Sequence, residues 1–168
     1  MDVGDLETAL QYFSESLQHS MRCHGISDLS VASTYDNMGI VEERLGNYQK
    51  ALECHEKSLE IKIQCVGPFD ADVAGTHVNM GEVYRHMGDN EKAMYHYEKA
   101  LSIYRPSLGD GHVKVAGTFA NIGIVLERQG RFQEALEYHQ KALEIFRTSL
   151  GDSHVAVAST YNNIGLVH

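Results

Sequence analysis

Apolar and small residues recur along the chain at intervals that bring side chains to one face of an α-helix. Counted from residue 115, they stand at offsets of four, seven, eight and eleven, and they include Phe119, Ile122 and Leu126. The stretch 93–104 has apolar residues at the same offsets. A half-buried strand would instead alternate at every second residue. The spacing therefore predicts amphipathic helices and an all-α fold.

The helical pattern comes in units of 42 residues. The segment VASTYDNMGIV at 31–41 returns as VAGTHVNMGEV at 73–83, VAGTFANIGIV at 115–125 and VASTYNNIGLV at 157–167. A second segment, GNYQKALECHEKSLEI at 46–61, returns at 88–103 and 130–145, and a degenerate copy stands at 4–19. A fixed period of this size indicates a solenoid in which each unit packs on its neighbours.

Glycines divide each unit into two predicted helices. A glycine at 46, 88 or 130 separates the first helix from the second, and a glycine at 67, 109 or 151 ends the second helix. The N-cap candidates are Asn47 and Asp89 for second helices and Asp110 and Asp152 for first helices. We expect one repeat array over 1–168, comprising the second helix of a partial repeat at 1–30, repeats at 31–72, 73–114 and 115–156, and the first helix of a truncated repeat at 157–168.

Small residues at fixed places in the unit resemble the tetratricopeptide repeat. They are Gly39, Gly81, Gly123 and Gly165 in the first helices and Ala51, Ala93 and Ala135 in the second helices. The unit is longer than the usual repeat of about 34 residues. Its segment LGDxHxxVAxTxxNxG, at 108–123 and 150–165, resembles the kinesin light chain type. The resemblance implies a right-handed superhelical solenoid of antiparallel helix pairs, with the first helices lining a concave groove.

The first helix of every unit carries an asparagine two residues before its glycine. Asparagine inside a helix is less favourable than alanine by up to about 0.7 kcal/mol, so local helix stability does not explain it. Its amide offers donors and an acceptor that complement a peptide unit. The family resemblance implies that such asparagines hold the main chain of a bound peptide. Alternatively, the amides bond to a neighbouring helix and set its register, or they recur through descent from one ancestral unit. The positions are Asn37, Asn79, Asn121 and Asn163.

Other residues share the predicted face of the first helices with these asparagines. Ile40 and Ile124 are apolar there and can form a pocket for a ligand side chain, although single exposed apolar residues are ordinary. Arg44, His86 and Arg128 end the same stripe and can pair with acidic ligand groups. They are equally explained as cations placed favourably near helix C-termini.

Composition narrows the classes of function. A net charge of −9 argues against a nucleic-acid partner, and the chain contains no apolar run long enough to predict a membrane-spanning helix. Three cysteines without a CxxC pair predict free thiols in a reducing compartment, and we expect a cytoplasmic protein. The histidines have no metal-ligand spacing, and phosphate-binding or nucleophile motifs are absent from the sequence. We therefore expect no catalytic residues, no metal and no cofactor.

The predicted function is a non-catalytic protein–protein interaction scaffold that binds an extended or acidic peptide segment in the groove through the asparagine ladder. Two alternatives stay open. The residues at 157–168 form a first helix without its partner, and those at 5–22 form a second helix without its own, so copies of the chain can associate head to tail. The array can also regulate an enzyme to which it is attached in a larger parent protein.

Overall fold

The computed structural model of the chain describes residues 3–25 and 28–167. Within these residues the regular structure is helical, and no strand is present. None of the described helices combines the length and the apolar composition needed to cross a membrane. The helices are α1 Val3–His24, α2 Leu29–Arg44, α3 Tyr48–Val66, α4 Ala71–Met87, α5 Asn90–Leu108, α6 Val113–Arg128, α7 Phe132–Leu150 and α8 Val155–Val167.

Helices adjacent in sequence pack together all along the chain. The most extensive contacts join α2 to α3, α4 to α5 and α6 to α7, so each pair forms a helical hairpin. Further contacts join α3 to α4 and α5 to α6, and the first helices α2, α4, α6 and α8 also touch in succession. Contacts between elements remote in sequence do not occur among the described residues, which is the arrangement of a solenoid. The predicted all-α solenoid of helix pairs is confirmed.

The glycine in the middle of each complete first helix lies directly against a ring from the second helix. A Cβ atom at Gly81 would stand 2.5 Å from Cε1 of Tyr97, and both residues are buried. Because real Cβ atoms do not approach other atoms this closely, glycine is required for the hairpin to close. The two other pairs are Gly39 with His55 at 2.6 Å and Gly123 with His139 at 2.4 Å.

The predicted caps of the first helices are wrong at two places. The residue that caps α6 is His112, whose Nδ1 accepts a hydrogen bond from the Lys114 N–H at 3.1 Å. Asp110 instead receives the Arg105 guanidinium, with Nε and Oδ1 at 2.5 Å. Asp110 therefore pairs with an arginine five residues earlier instead of capping α6. The same exchange places His154 before α8 and pairs Asp152 with Arg147.

The predicted caps of the second helices are confirmed in position but not always in bonding. Asp89 accepts a hydrogen bond from the Lys92 N–H at 3.1 Å. Asn47 stands at the N-cap of α3, yet its side chain makes no capping bond. Its amide instead donates to Glu42 at 2.7 Å, across the turn between α2 and α3.

The α2–α3 hairpin contains a buried polar network that the other hairpins lack. Asp36 accepts hydrogen bonds from His55 Nδ1 at 2.9 Å and from Lys62 Nζ. Lys62 also donates to Thr76 Oγ1 on α4 at 2.9 Å, and all four residues are buried. Burial alone would raise the pKa of Asp36, but the bonds from His55 and Lys62 outweigh it, and the pKa lies below its ordinary value. In the next two hairpins the positions of Asp36 and Lys62 are taken by Val78 and Tyr104, and by Ala120 and Phe146.

Candidate functional site

The four asparagines occupy equivalent places on α2, α4, α6 and α8. Each stands two residues before the glycine, which is about 200° around a helix with 100° per residue. In the three complete hairpins that glycine faces the second helix, so the asparagine there points away from the second helix. Asn37 is exposed, and the other three side chains are partly exposed. They therefore project from one face of the row of first helices.

None of these four side-chain amides makes a hydrogen bond to any other described residue. The alternative was that these amides bond a neighbouring helix and fix its register. Among the described residues no such bond is present. The amides stay available to a ligand. No hydrogen bond within the described residues offsets the lower helix propensity of these asparagines.

One turn before each asparagine the residue is glycine or serine. A Cβ atom added at Gly117 would meet nothing within 4 Å in the described residues, and at Gly75 it would meet only the Tyr104 hydroxyl at 3.4 Å. The hydroxyl of Ser33 donates back to the Leu29 carbonyl, so it does not extend outward to another element. The surface beside the asparagines therefore carries no large side chain and leaves room for a peptide backbone.

The apolar positions of the stripe lie one turn after the asparagines. Ile40 and Ile124 are partly buried, while Leu166 on α8 is 73% exposed. The corresponding residue of α4 is Glu82, so the row alternates between apolar and charged along α2, α4 and α6.

The basic residues that end the stripe reach back to the preceding first helix. Arg128 donates from Nη1 to the Arg85 carbonyl in the last turn of α4. His86 Nδ1 lies 2.7 Å from Glu43 Oε1 on α2. These two predicted ligand-binding residues therefore already join successive units. Arg44 is exposed, and it has no partner among the described residues.

A continuous chain of polar contacts surrounds His86. Arg85 donates to Glu82, with Nη2 and Oε2 at 2.5 Å, and to His86 Nε2 at 2.9 Å. Because an arginine can only donate, Nε2 accepts, and the imidazole proton sits on Nδ1, where it is donated to Glu43. Burial lowers the pKa of Arg85, but its bonds to Glu82 outweigh this effect and leave the pKa raised.

Three members of this chain, Glu43, Glu82 and His86, have ligand atoms within 4.8 Å of one another. Such a set can hold a divalent cation in principle. The permanently charged guanidinium of Arg85 already bonds two of the three, however, and satisfies them without an ion. Sequence reasoning missed the cluster because Glu43 comes from another unit, at a distance that matches no metal motif.

Two more histidines meet within the α4–α5 hairpin. His77 and His96 have their Nδ1 atoms 3.1 Å apart, and the His96 ring stacks on Tyr84 with centroids at 5.3 Å. Burial and the neighbouring His77 lower the pKa of His96 to about 4. Burial and Lys99 also lower the pKa of His77. Both imidazoles are therefore neutral near pH 7.

Shallow clefts also recur on the second helices, away from the asparagines. A cleft of about 500 Å³ lies along the C-terminal half of α5, beside Leu101 and Arg105, and clefts of about 380 Å³ occupy the same place on α3 and α7. On α5 and α7 the arginine at the rim is already paired, to Asp110 or to Asp152. The clefts repeat with the unit, but the amides that line two of them, Gln64 on α3 and Gln140 on α7, occupy different positions of the repeat.

The family model of the tetratricopeptide repeat matches residues 1–64, 72–148 and 114–168, which together span nearly the whole chain. A search of curated protein sequences gives no significant match.

Solved structures resemble the fold along almost its full length. BtubC (BKLC) from P. vanneervenii is 24% identical with a TM-score of 0.82, over 96% of this chain and 65% of BtubC. A Podosopora anserina protein, described as a kinesin light chain with nearly identical TPR-like repeats, is 15% identical with a TM-score of 0.76, over 98% of this chain and 78% of its own. The apo form of RapI is 16% identical with a TM-score of 0.79, over 98% of this chain and 44% of RapI. At these identities the likeness shows the fold alone, and the chain spans under two thirds of BtubC.

Proposed function

The chain belongs to the tetratricopeptide repeat family, whose arrays serve as protein-interaction scaffolds, and we propose that its first helices hold an extended peptide through the asparagine ladder. In such arrays the first helices line the inner surface. Four amides, one on each of α2, α4, α6 and α8, have no hydrogen-bond partner among the described residues. This observation carries the proposal, because an amide can both donate to a peptide carbonyl and accept from a peptide N–H.

The ladder recognises the ligand through its main chain. A hydrogen bond made on binding contributes about 0.5–1.5 kcal/mol, and each amide can make two. Removing two asparagines should therefore weaken binding by more than tenfold. Side-chain selectivity comes from the positions one turn further along, which are Ile40, Glu82 and Ile124.

Stability and binding should respond in opposite directions to the same substitution. The asparagine amides make no hydrogen bond within the described fold, so alanine loses no hydrogen bond there and gains helix propensity of up to about 0.7 kcal/mol per site. The double variant Asn79→Ala with Asn121→Ala should unfold at a higher temperature than the parent protein and bind peptide less tightly. A purely structural role of the asparagines would lower both.

Selection from a random library of twelve-residue peptides tests the proposal. Peptides that bind the parent array are titrated by calorimetry into the double variant and into Asn162→Ala. Asn162 is exposed on α8 and adjacent to Asn163, but it points about 100° away from the stripe. We expect a loss of at least tenfold in the double variant and none in Asn162→Ala. Selected peptides that bind all three proteins equally would overturn the groove assignment.

Head-to-tail association is a second proposal, and one observation favours it. Tyr161 on α8 is 51% exposed, whereas the equivalent Tyr35, His77 and Phe119 are partly buried against second helices. The sequence of α1 is a degenerate copy of a second helix, so α1 of a second copy of the chain can pack against Tyr161. Light scattering over a wide range of concentration should detect assemblies that Tyr161→Glu disperses. A strict monomer at high concentration, unchanged by Tyr161→Glu, would rule this out.

A further inference from the structure

The C-terminal end of α3 differs in chemistry from the same end of α5 and α7. On α5 this place holds Arg105 paired with Asp110, and α7 has the same arginine–aspartate pair. On α3 the two equivalent positions are Ile63 and Pro68. Two apolar residues therefore stand where the other two units have an ion pair at their surface.

The backbone is the same in all three places, so the difference lies in the side chains. The glycine that ends each of these second helices has φ of 84–87° and ψ of 156–164°. Ile63 is 39% exposed, and Phe69, which follows Pro68, is 79% exposed. The residues equivalent to Phe69 are a glycine after α5 and a serine after α7. An exposed apolar surface is thus present at the end of α3 and is absent from the equivalent places.

Two carboxylates border this apolar surface. The cleft of about 380 Å³ along α3 is lined by Leu59 and Ile63 and also by Glu56 and Glu60. Neither carboxylate has a hydrogen bond or an ion pair to another described residue. The equivalent positions hold a glutamate and a serine on α5, and a glutamine and a glutamate on α7. Among these three second helices, both acids occur together on α3, beside the apolar residues.

An apolar strip bordered by unpaired carboxylates fits a partner of positive charge. Leu59 and Ile63 are about one helical turn apart, so the strip runs along α3 and can pack against a row of apolar side chains on another helix. Lysine or arginine beside that row would pair with the two carboxylates. A second copy of this chain is a poor partner because its net charge is −9. An anionic membrane surface would be repelled for the same reason.

We propose that this surface, formed by Glu56, Leu59, Glu60, Ile63 and Phe69 and called the Ile63 face, binds a basic amphipathic helix of another protein. The Ile63 face lies on a second helix, away from the asparagines of the first helices. The proposal therefore does not depend on the function proposed for the groove, and both surfaces can be occupied at once.

Two synthetic peptides test the chemistry of the partner. The peptide (Leu-Lys-Lys-Leu-Leu-Lys-Lys)2 has its leucines on one face of a helix, and a counterpart with glutamate at every lysine position has the same apolar face. Calorimetric titration should detect binding of the lysine peptide and no binding of the glutamate peptide. Glu56→Gln with Glu60→Gln should weaken binding of the lysine peptide by about fivefold, because two exposed ion pairs are lost. Hydrogen exchange should show protection by the peptide at the α3 amides.

The chain supplies a matched control for general attraction between a cationic peptide and an acidic protein. Ile63→Arg with Pro68→Asp gives α3 the ion pair of α5 and leaves the net charge unchanged. We expect this variant to melt close to the parent protein and to bind the lysine peptide at least tenfold more weakly. Asn79→Ala with Asn121→Ala should bind the lysine peptide as the parent does, because the groove takes no part.

Three results would overturn the proposal. The first is failure of the lysine peptide to bind the parent protein, or equal binding of the two peptides. The second is undiminished binding of the lysine peptide to Ile63→Arg with Pro68→Asp. The third is undiminished binding to Glu56→Gln with Glu60→Gln, whose substitutions are confined to exposed side chains and therefore test the Ile63 face even if the other variant does not fold.

Discussion

Replacing Lys62 with methionine should destabilise the array far more than a typical substitution of a lysine. The side chains of Lys62 and Asp36 are only 9% and 12% exposed, and Lys62 also bonds Thr76. Methionine fills a similar volume but cannot bond the carboxylate, so Asp36 keeps only His55 and Thr76 as partners. Removing one member of a buried ion pair costs about 3–5 kcal/mol. Because two donors remain, we expect the lower end of this range.

The chain itself supplies the matched control. In the α6–α7 hairpin Ala120 and Phe146 occupy the positions of Asp36 and Lys62, while a buried histidine is retained. The double variant Asp36→Ala with Lys62→Phe removes the Asp36 bond to His55, but Glu43 occupies the position at which Glu127 bonds His139 and can bond His55 in the same way. The variant therefore copies a packing that this fold already uses. Replacing a whole buried pair by apolar residues is often neutral or stabilising. We expect the double variant to be within about 1 kcal/mol of the parent or above it.

Urea denaturation followed by circular dichroism measures both free energies, and hydrogen exchange of the α2 and α3 amides locates the effect in the array. We expect similar free energies of unfolding for the parent and the double variant, and a much lower one for Lys62→Met. A Lys62→Met variant within 1 kcal/mol of the parent would refute the view of Lys62 as a buried ion-pair partner. A double variant as unstable as the single one would show instead that packing at this site tolerates no substitution.

Three further predictions concern stability. Gly81→Ala should cost about 1–3 kcal/mol, because its Cβ would lie 2.5 Å from the buried Tyr97 ring, whereas Gly117→Ala should stabilise by about 0.5–1 kcal/mol in a thermal melt. Between about pH 4 and 6.5, His96 is protonated in the unfolded chain but not in the folded one. The free energy of unfolding should therefore rise with pH by about 1–2 kcal/mol, after allowance for solvent screening. His96→Tyr, which copies Tyr138, should flatten that slope, and an unchanged slope would exclude His96 as its source. Amides of α1 and α8 should exchange faster than those of α4 to α6, since each packs on one hairpin only, and uniform protection would contradict this.

The helices were predictable because the same apolar spacing is repeated from unit to unit, so a chance match in one copy is corrected by the others. The close approach of Gly81 to Tyr97 was also foreseeable in kind, since a small residue recurred on the apolar face. The caps were not predictable to the same degree. An aspartate before a helix can either cap the helix or pair with a nearby cation. Arg105 lies close enough to Asp110 to form the ion pair. Local preference alone does not decide between the cap and the ion pair.

The polar contacts between distant residues, within a unit or between units, were hidden from the sequence for a different reason. Lys62 is separated from Asp36 by 26 residues, and lysine is normally expected at the surface. His86 meets Glu43 from 43 residues away, one residue more than the unit itself. Such pairs differ between copies, so the repeat does not signal them. They become visible only in the folded structure.

The positions that all four copies share can be sorted by what the fold requires of them. The shared residues of the first helix are valine, alanine, threonine, asparagine, glycine and a second valine. In α2, α4 and α6 every one of these is buried except the asparagine. The residue directly before it has meanwhile diverged to Asp36, Val78, Ala120 and Asn162. Burial accounts for the other shared residues. Descent from one unit does not explain why a partly exposed residue that makes no hydrogen bond and weakens the helix stayed the same while its neighbour changed. A requirement from outside the chain, such as a peptide bound along the first helices, does explain it.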